Sequence, residues 1–163
     1  MTGFILFSVL SLVFIMLSGV SEAIMDKLQF HWEKSIFVIN PTKYNPLFWN
    51  PTISWRNKWK EGTDYKVEKF RGSTSIFVFT TDAWHLFKFF KNTTMFLAIF
   101  FAMVAITFNP FIPIMYLIPL VVLARTSYGL IFTLFFNNIL HMVDPFLYIK
   151  NRRPNGGKAN NEI

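Results

Sequence analysis

The stretch that decides the fold is residues 92–124, NTTMFLAIFFAMVAITFNPFIPIMYLIPLVVLA, which carries no charged side chain. A second uncharged stretch, residues 126–143, follows directly after Arg125. An α-helix rises 1.5 Å per residue, so about 20 apolar residues cross a hydrocarbon core of about 30 Å. The two stretches together are long enough to cross a membrane twice. We therefore interpret this half of the chain as membrane-embedded.

Prolines divide this apolar region. Asn109-Pro110 and Pro113 interrupt it, because proline removes a backbone donor and restricts the residue before it. We predict two spans, at about 84–108 and 118–142, joined by a turn, with Pro119 in the first turn of the last helix. A re-entrant hairpin over residues 111–123 is the alternative, and it would reduce the number of spans.

An earlier apolar run covers residues 3–24 and contains no charge before Glu22. Ser21-Glu22-Ala23 loosely resembles a signal-peptidase cleavage site, which makes a secretory signal peptide the competing interpretation. Signal peptides have a basic beginning and a shorter apolar core, whereas Met1-Thr2-Gly3 has no Lys or Arg. We therefore expect a retained first span, and an all-α membrane protein with about three transmembrane helices.

Composition and charge distribution support this class and predict an orientation. Apolar residues make up 53% of the 163-residue chain and charged residues only 15%, which argues against disorder, and no Cys is present for disulfides or thiol chemistry. Residues 25–91 hold eleven Lys and Arg, and four more follow Pro145. Because Lys and Arg near span ends favour the cytoplasmic side, we expect a multi-pass inner-membrane protein with its N-terminus outside and its C-terminus cytoplasmic. The expected units are residues 1–24 (first span), 25–83 (cytoplasmic and interfacial), 84–145 (two-helix hairpin) and 146–163 (disordered basic tail).

The segment 25–83 is too polar to span a membrane, yet it and the adjoining Trp84 hold every tryptophan of the chain. Indole rings favour the headgroup layer, and basic residues are attracted to anionic lipid. We predict that residues 53–60 form a short interfacial helix or turn on the inner leaflet. Residues 73–81 alternate imperfectly, which suggests either extended chain or the start of the second span. The residues expected to bind lipid or a partner are Trp49, Trp55, Arg56, Lys58, Trp59, Lys60 and Lys88.

Acidic residues and histidines fall near one depth, at the inner ends of the three spans. Carboxylates and imidazoles three or four residues apart share a helix face, where they can bind one divalent cation or share a proton. The candidate ligands are Glu22, Asp26, Asp82, His85, His141 and Asp144. Asp82, His85 and His141 are also the candidate catalytic residues, and a divalent metal is the one cofactor considered.

Simpler roles compete with a shared site. Polar residues collect at helix ends in any membrane protein, and Asp82 precedes an apolar run in the manner of an N-cap. Arg125 lies about 10 Å into the third span at 1.5 Å per residue. It either extends back to the outer headgroups or faces the bundle.

Three short segments carry a resemblance to a known group of proteins. Residues 45–49 read NPLFW, residues 54–58 read SWRNK and residues 82–85 read DAWH. With these N-P-x-F-W, S-W-x-N-K and D-x-W-H patterns, residues 20–90 resemble a small uncharacterised family of bacterial inner-membrane proteins. The resemblance implies a location but no activity. It also suggests that Trp49, Trp55, Asp82 and His85 belong to one functional unit.

Two functions remain open from the sequence, and a third, an ion or proton conduit through the same carboxylates, is weakened by the nearly all-apolar outer halves of the first and second spans. The first is an accessory or interaction component that binds the inner leaflet, a partner protein or a second copy of the chain. The second is a membrane-embedded metal-dependent or acid–base enzyme that acts on a phosphoryl or ester bond of a lipid headgroup. Alternating basic and aromatic residues also occur in single-stranded nucleic-acid binding, but beside membrane spans we expect no nucleic-acid partner. Phosphate-loop, dinucleotide, zinc-protease and serine-elbow motifs are absent from the sequence.

Overall fold

The computed structural model describes residues 2–39, 42–60, 62, 64–109 and 114–141. Three long helices dominate it: α1 (Thr2–Phe30), α4 (Ala83–Thr107) and α5 (Ile114–Leu134). All three are long and apolar enough to cross a membrane, the third as Leu117–Ile139 once the following turn is included. The expectation of a mostly helical membrane protein with three spans is confirmed. Residues 142–163, with Asp144 and the expected basic tail, lie outside the described residues.

Helix α1 lies between the other two and packs most extensively along α4. Two of its serines bond to that neighbour: the Ser11 hydroxyl donates to the Ala98 carbonyl at 2.8 Å, and the Ser18 hydroxyl donates to the Lys91 carbonyl at 3.3 Å. Small hydroxyl side chains let helix backbones approach closely, and they bond across the interface where water is absent. The small residues of α1 therefore determine how closely α4 packs against it.

Helix α5 approaches α1 at Gly19. A Cβ atom at this position would lie 3.0 Å from the Tyr128 carbonyl oxygen and 3.3 Å from Ile131 Cγ2. Glycine is therefore the residue that permits this contact. Helix α5 also departs from the expectation for Pro119, which lies in the second turn because the helix begins at Ile114. A proline there donates no hydrogen bond to the carbonyl one turn earlier.

Helix α1 continues to Phe30, six residues beyond the apolar run. This extension of α1 supports a compact region, which we call the cap. The cap consists of the described residues between Phe30 and Ala83. It packs against one end of the three-helix bundle, which we call the lower end. The remaining elements are α2 (Ile36–Ile39), α3 (Pro46–Trp49), 3-10 turns at Trp32–Lys34, Ser54–Lys58 and Val78–Thr80, strands β1 (Trp59–Lys60) and β2 (Asp64–Glu68), and a π-helical turn at Phe135–Ile139. Of the turn expected at 53–60, Ser54–Lys58 form a 3-10 helix, whereas Trp59 and Lys60 form strand β1. Residues 73–81 form turns and a 3-10 helix instead of a strand or a continuation of α4.

The small antiparallel hairpin of β1 and β2 was not predicted, because a two-residue strand has no detectable alternation. Trp59 pairs with Glu68 and Lys60 with Asp64, with a register irregularity between the two pairs.

A buried core joins the cap to the helices. Its buried members come from α1, α2, α4 and the end of the π-helical turn, and they are Ala23, Ile24, Leu28, Phe37, Ala83 and Leu140. The Ile36 amide donates to the Leu140 carbonyl at 3.2 Å, so the cap also bonds to the end of the last span. The cap and the end of the third span therefore lie at the same end of the bundle.

Candidate functional site

The N-P-x-F-W segment forms the helix α3 and anchors the cap. Asn45 is its N-cap: the side-chain oxygen accepts the Leu47 amide at 3.0 Å, and Pro46 occupies the first turn, where its missing donor costs little. Trp49, at the end of α3, stacks on Phe37 with ring centroids 4.6 Å apart. The indole is therefore part of an aromatic cluster within the cap, and is half-buried there.

The S-W-x-N-K segment is fixed to the chain that leads into α4. The Asn57 side-chain amide donates to the Thr81 carbonyl at 2.6 Å, and the Ser73 hydroxyl donates to the Lys58 carbonyl at 2.7 Å. The first bond holds Thr81, the residue immediately before Asp82, and the second joins Lys58 to the loop that leads to α4. The second and third sequence segments therefore form one structural unit.

Asp82 is the N-cap of α4 and also the partner of His85. Its Oδ1 accepts the His85 backbone amide at 2.9 Å, while His85 Nδ1 lies 2.9 Å from Oδ1 and 2.8 Å from Oδ2. Because a carboxylate only accepts, Nδ1 carries a proton and the ring presents Nε2 as its remaining nitrogen. No described residue bonds to Nε2. Asp82 is 3% exposed, so the carboxylate is buried against its two donors.

The pKa of Asp82 reflects opposing influences. Burial raises it, but hydrogen bonds from the His85 ring and backbone amide, with the charges of His85 and Lys58, lower it by more. The net effect places the pKa of this carboxyl below its ordinary value. Asp82 is therefore ionised at neutral pH and orients the imidazole of His85.

The Asp82–His85 pair lines a surface groove of about 250 Å³. The groove lies between the end of α1, the Ser54 turn and the start of α4, and its lining residues are Gln29, Pro51, Ser54, Trp55, Asp82, Trp84 and His85. The Trp84 indole nitrogen donates to Gln29 Oε1 at 3.0 Å, which fixes one wall. Ser54 is 5% exposed, and its hydroxyl has no hydrogen bond among the described residues.

Two basic side chains lie over the tryptophans of this groove. The Arg56 guanidinium is 5.5 Å from the Trp55 ring centroid, and Lys88 Nζ is 4.8 Å from the Trp84 ring. Both cations are exposed, as is Trp55. Of the other residues expected to bind lipid, Lys60 is exposed, whereas Trp49, Lys58 and Trp59 are half-buried.

The remaining candidate ligands do not join Asp82 and His85. Glu22 pairs instead with Lys91, with an Nζ–Oε1 distance of 2.6 Å, near the lower end of the helices. His141 Nδ1 lies 3.4 Å from Lys27 Nζ, which also donates to the Phe136 carbonyl at 2.8 Å. Within residues 2–39, 42–60, 62, 64–109 and 114–141, no three His, Asp or Glu side chains are close enough to hold one metal ion. Asp26 is half-exposed on α1, and Asp144 lies outside the described residues.

His141 has a cationic neighbourhood that distinguishes it from His85. Partial desolvation first, and then the charges of Lys27, Lys34 and His31, lower the pKa of its imidazole. His141 is therefore neutral at neutral pH and sits beside a lysine, a setting that repels a metal cation.

Arg125 extends toward the end of α5 that lies beside the cap, and not toward the start of the helix. Its guanidinium lies 5.9 Å from the Tyr128 ring, and Nη1 is 3.4 Å from the position that a Cβ of Gly129 would occupy. The missing side chain at Gly129 leaves room for the guanidinium one turn below Arg125.

Sequence reasoning missed Ser54, Asn57 and the apolar residues of the loop before α4. Ser54 and Asn57 stand within the quoted S-W-x-N-K segment, but only the fold shows what they contact. The sequence did contain a pattern that could have indicated this loop: two large apolar residues, Ile76 and Phe77, directly follow the polar stretch 72–75, which reads GSTS.

Comparison with known proteins yields no relative: no family model, no curated protein and no solved structure matches this chain. The functional argument therefore depends on the groove and its surroundings.

Proposed function

We propose that the chain is a multi-pass inner-membrane protein with an outer N-terminus and a cytoplasmic C-terminus, in which the cap binds the inner leaflet. It acts as an accessory or interaction component. It binds membrane lipids, and it also binds either a second copy of the chain or another subunit of a membrane complex. The cap and the end of α5 lie at one end of the bundle, where the basic residues concentrate. Lys and Arg at that end favour the cytoplasmic side.

The observation that carries this proposal is the pair of tryptophans that wall the groove, each with a cation over its ring. Trp55 with Arg56 and Trp84 with Lys88 place indoles and positive charges side by side at the start of a membrane-spanning helix. Indoles prefer the headgroup layer, and each basic residue near anionic lipid contributes about 1 kcal/mol. The site is thus suited to lipid phosphates.

The test uses the intrinsic tryptophans, all of which lie in or next to the cap. The full chain is reconstituted in vesicles with brominated acyl chains on either phosphatidylglycerol or phosphatidylcholine. We expect stronger tryptophan quenching by the brominated anionic lipid at low salt, and loss of the preference at high salt, because exposed charges are screened.

Charge variants make this test specific. The double variant Arg56→Gln, Lys88→Gln is expected to lose most of the preference for brominated phosphatidylglycerol. The control Lys34→Gln, Lys43→Gln removes the same charge elsewhere in the cap and is expected to keep it. Equal quenching by both lipids in the wild type, or equal loss in the two double variants, would contradict the proposal.

The Asp82–His85 pair favours acid–base chemistry on a headgroup ester or phosphoryl bond as a second candidate function. Asp82 orients the ring, Nε2 is left as a base, and the Ser54 hydroxyl lines the same groove.

To test this second candidate function, we would incubate the purified chain with vesicles of headgroup-labelled phosphatidylethanolamine and phosphatidylglycerol. If the chain has this acid–base function, the wild type and the control variant His31→Gln release the headgroup. The variant His85→Gln releases it at least about 100-fold more slowly. No release by the wild type would reject it and leave the binding function.

A further inference from the structure

The chain between β2 and α4 forms an ordered loop, which we call the 70–79 loop. The Glu68 carboxylate accepts the Gly72 amide at 2.8 Å and the Thr74 amide at 3.3 Å, and the Phe77 amide donates to the Gly72 carbonyl at 2.8 Å. Gly72 has a φ of +86°, a conformation that glycine adopts without strain. These bonds hold the loop in one shape, so its exposed side chains are fixed in position.

The loop folds back along α4 toward its membrane-spanning part. Phe79 stacks on Phe89 with ring centroids 4.4 Å apart and an interplanar angle of 16°. Phe89 lies six residues after Ala83, where α4 begins, which corresponds to about 9 Å along the helix axis. The loop therefore lies beside the first turns of the span and not beneath them.

The tip of the loop is apolar and uncovered. Ile76 is 76% exposed and Phe77 is 47% exposed, and Phe89 and Phe90 on the neighbouring face of α4 are also exposed. That face continues upward through Phe96 and Phe100, both exposed on the membrane-spanning part of α4. The apolar tip is thus continuous with the surface that α4 presents to lipid. Arg71, which directly precedes Gly72 in the same loop, is exposed.

We propose that the 70–79 loop is a membrane wedge, in which Ile76 and Phe77 insert among the acyl chains of the inner leaflet while Arg71 binds a lipid phosphate. The loop tip is continuous with the lipid-facing side of α4, and a positive charge lies next to it in the chain. These two features indicate that the loop contacts an anionic bilayer. Insertion removes from water the apolar surface that the fold leaves uncovered. This inference rests on the proposed binding of the cap to the inner leaflet and adds the segment that enters it.

The absence of Cys allows a clean test on the full chain. A spin label is attached to Ile76→Cys in vesicles that contain phosphatidylglycerol, and its collisions with oxygen and with a water-soluble nickel chelate are compared. Phe96→Cys, on the exposed face of α4, gives the value for a lipid-embedded site. Glu33→Cys, an exposed polar position of the cap, gives the value for water. We expect the label at position 76 to favour oxygen, as at position 96 and opposite to position 33.

Each outcome separates the wedge from the broader proposal. Nickel access at position 76, combined with preferential quenching of the tryptophans by anionic lipid, would overturn the wedge alone. Nickel access without that preference would overturn both. A label at position 76 that is shielded from oxygen and nickel alike would show a protein contact and would also overturn the wedge. In addition, Arg71→Gln is expected to make the position 76 label shallower, whereas Lys34→Gln is not.

Discussion

Replacement of Asp82 by alanine is expected to lower the free energy of unfolding by about 2 kcal/mol. The carboxylate is buried, caps α4 and accepts the His85 ring, so its removal leaves both the amide and the imidazole without their acceptor. Thermal or denaturant unfolding of the purified protein in detergent measures the change. The groove loses its shape in the same variant, because His85 is no longer oriented.

The matched variant Asp82→Asn separates capping from charge. Asparagine is as good an N-cap as aspartate, but it cannot provide the negative charge that His85 and Lys58 face. We expect Asp82→Asn to lose less than half of what Asp82→Ala loses. Equal losses in the two variants would show that capping contributes little and that the ionic contact dominates.

The same carboxylate gives a pH dependence with a defined sign. The pKa of Asp82 is lower in the folded protein than in the unfolded chain, so the unfolded state binds the proton more readily. The stability that Asp82 provides is therefore complete above the unfolded pKa, near 4, and is lost as the pH falls through the folded value. The difference in stability between the wild type and Asp82→Asn should shrink as the pH falls below about 4. A difference that is constant from pH 7 to pH 3 would contradict the lowered pKa.

Leu28→Ala is expected to have the largest effect on stability, about 3 kcal/mol. Leu28 is fully buried in the core that joins α1, the cap and the end of the π-helical turn, so truncation leaves a cavity where three parts of the chain meet. The effect is measured by unfolding in detergent and by tryptophan fluorescence, which reports on the cap.

Leu17→Ala is the control, because it is the same substitution eleven residues earlier on the same helix. Leu17 is 46% exposed in the part of α1 that lies in the membrane, where lipid replaces the lost contacts. We expect a loss below about 1 kcal/mol at this position. If both variants lose the same amount, the cap and the helices do not share a core, and the groove between them is not a stable site.

The core gives the functional site its rigidity. Gln29, near the end of α1, and Trp84, at the start of α4, both line the groove. The hydrogen bond between their side chains closes one side of it. Because both residues follow directly from buried core positions, Leu28 and Ala83, a loosened core is transmitted to the groove. Leu28→Ala should therefore also weaken the lipid preference measured by tryptophan quenching, whereas Leu17→Ala should not.

The three spans and the 3-10 turn at Ser54–Lys58 could be predicted from the sequence because local properties determine them. An uncharged run as long as 92–124 favours lipid over water, and the proline of Asn109-Pro110 disfavours one continuous helix through it. Asp82 with His85 was predictable for the same reason, since a spacing of three along a helix brings two side chains to one face.

Only the tertiary structure decided which of the distant residues meet. The sequence placed Glu22, Asp82 and His141 at similar depths, but depth does not specify the direction around a helix. In the fold, Glu22 on α1 pairs with Lys91, and His141, which follows the last helical turn, lies beside Lys27, so neither joins the Asp82–His85 pair. The groove likewise depends on the Asn57–Thr81 bond across 24 residues, and the position of the 70–79 loop depends on Phe79 meeting Phe89. Hydrophobicity and local spacing thus determined the spans and the helix cap, whereas long-range packing, which has no local sequence signal, determined the site.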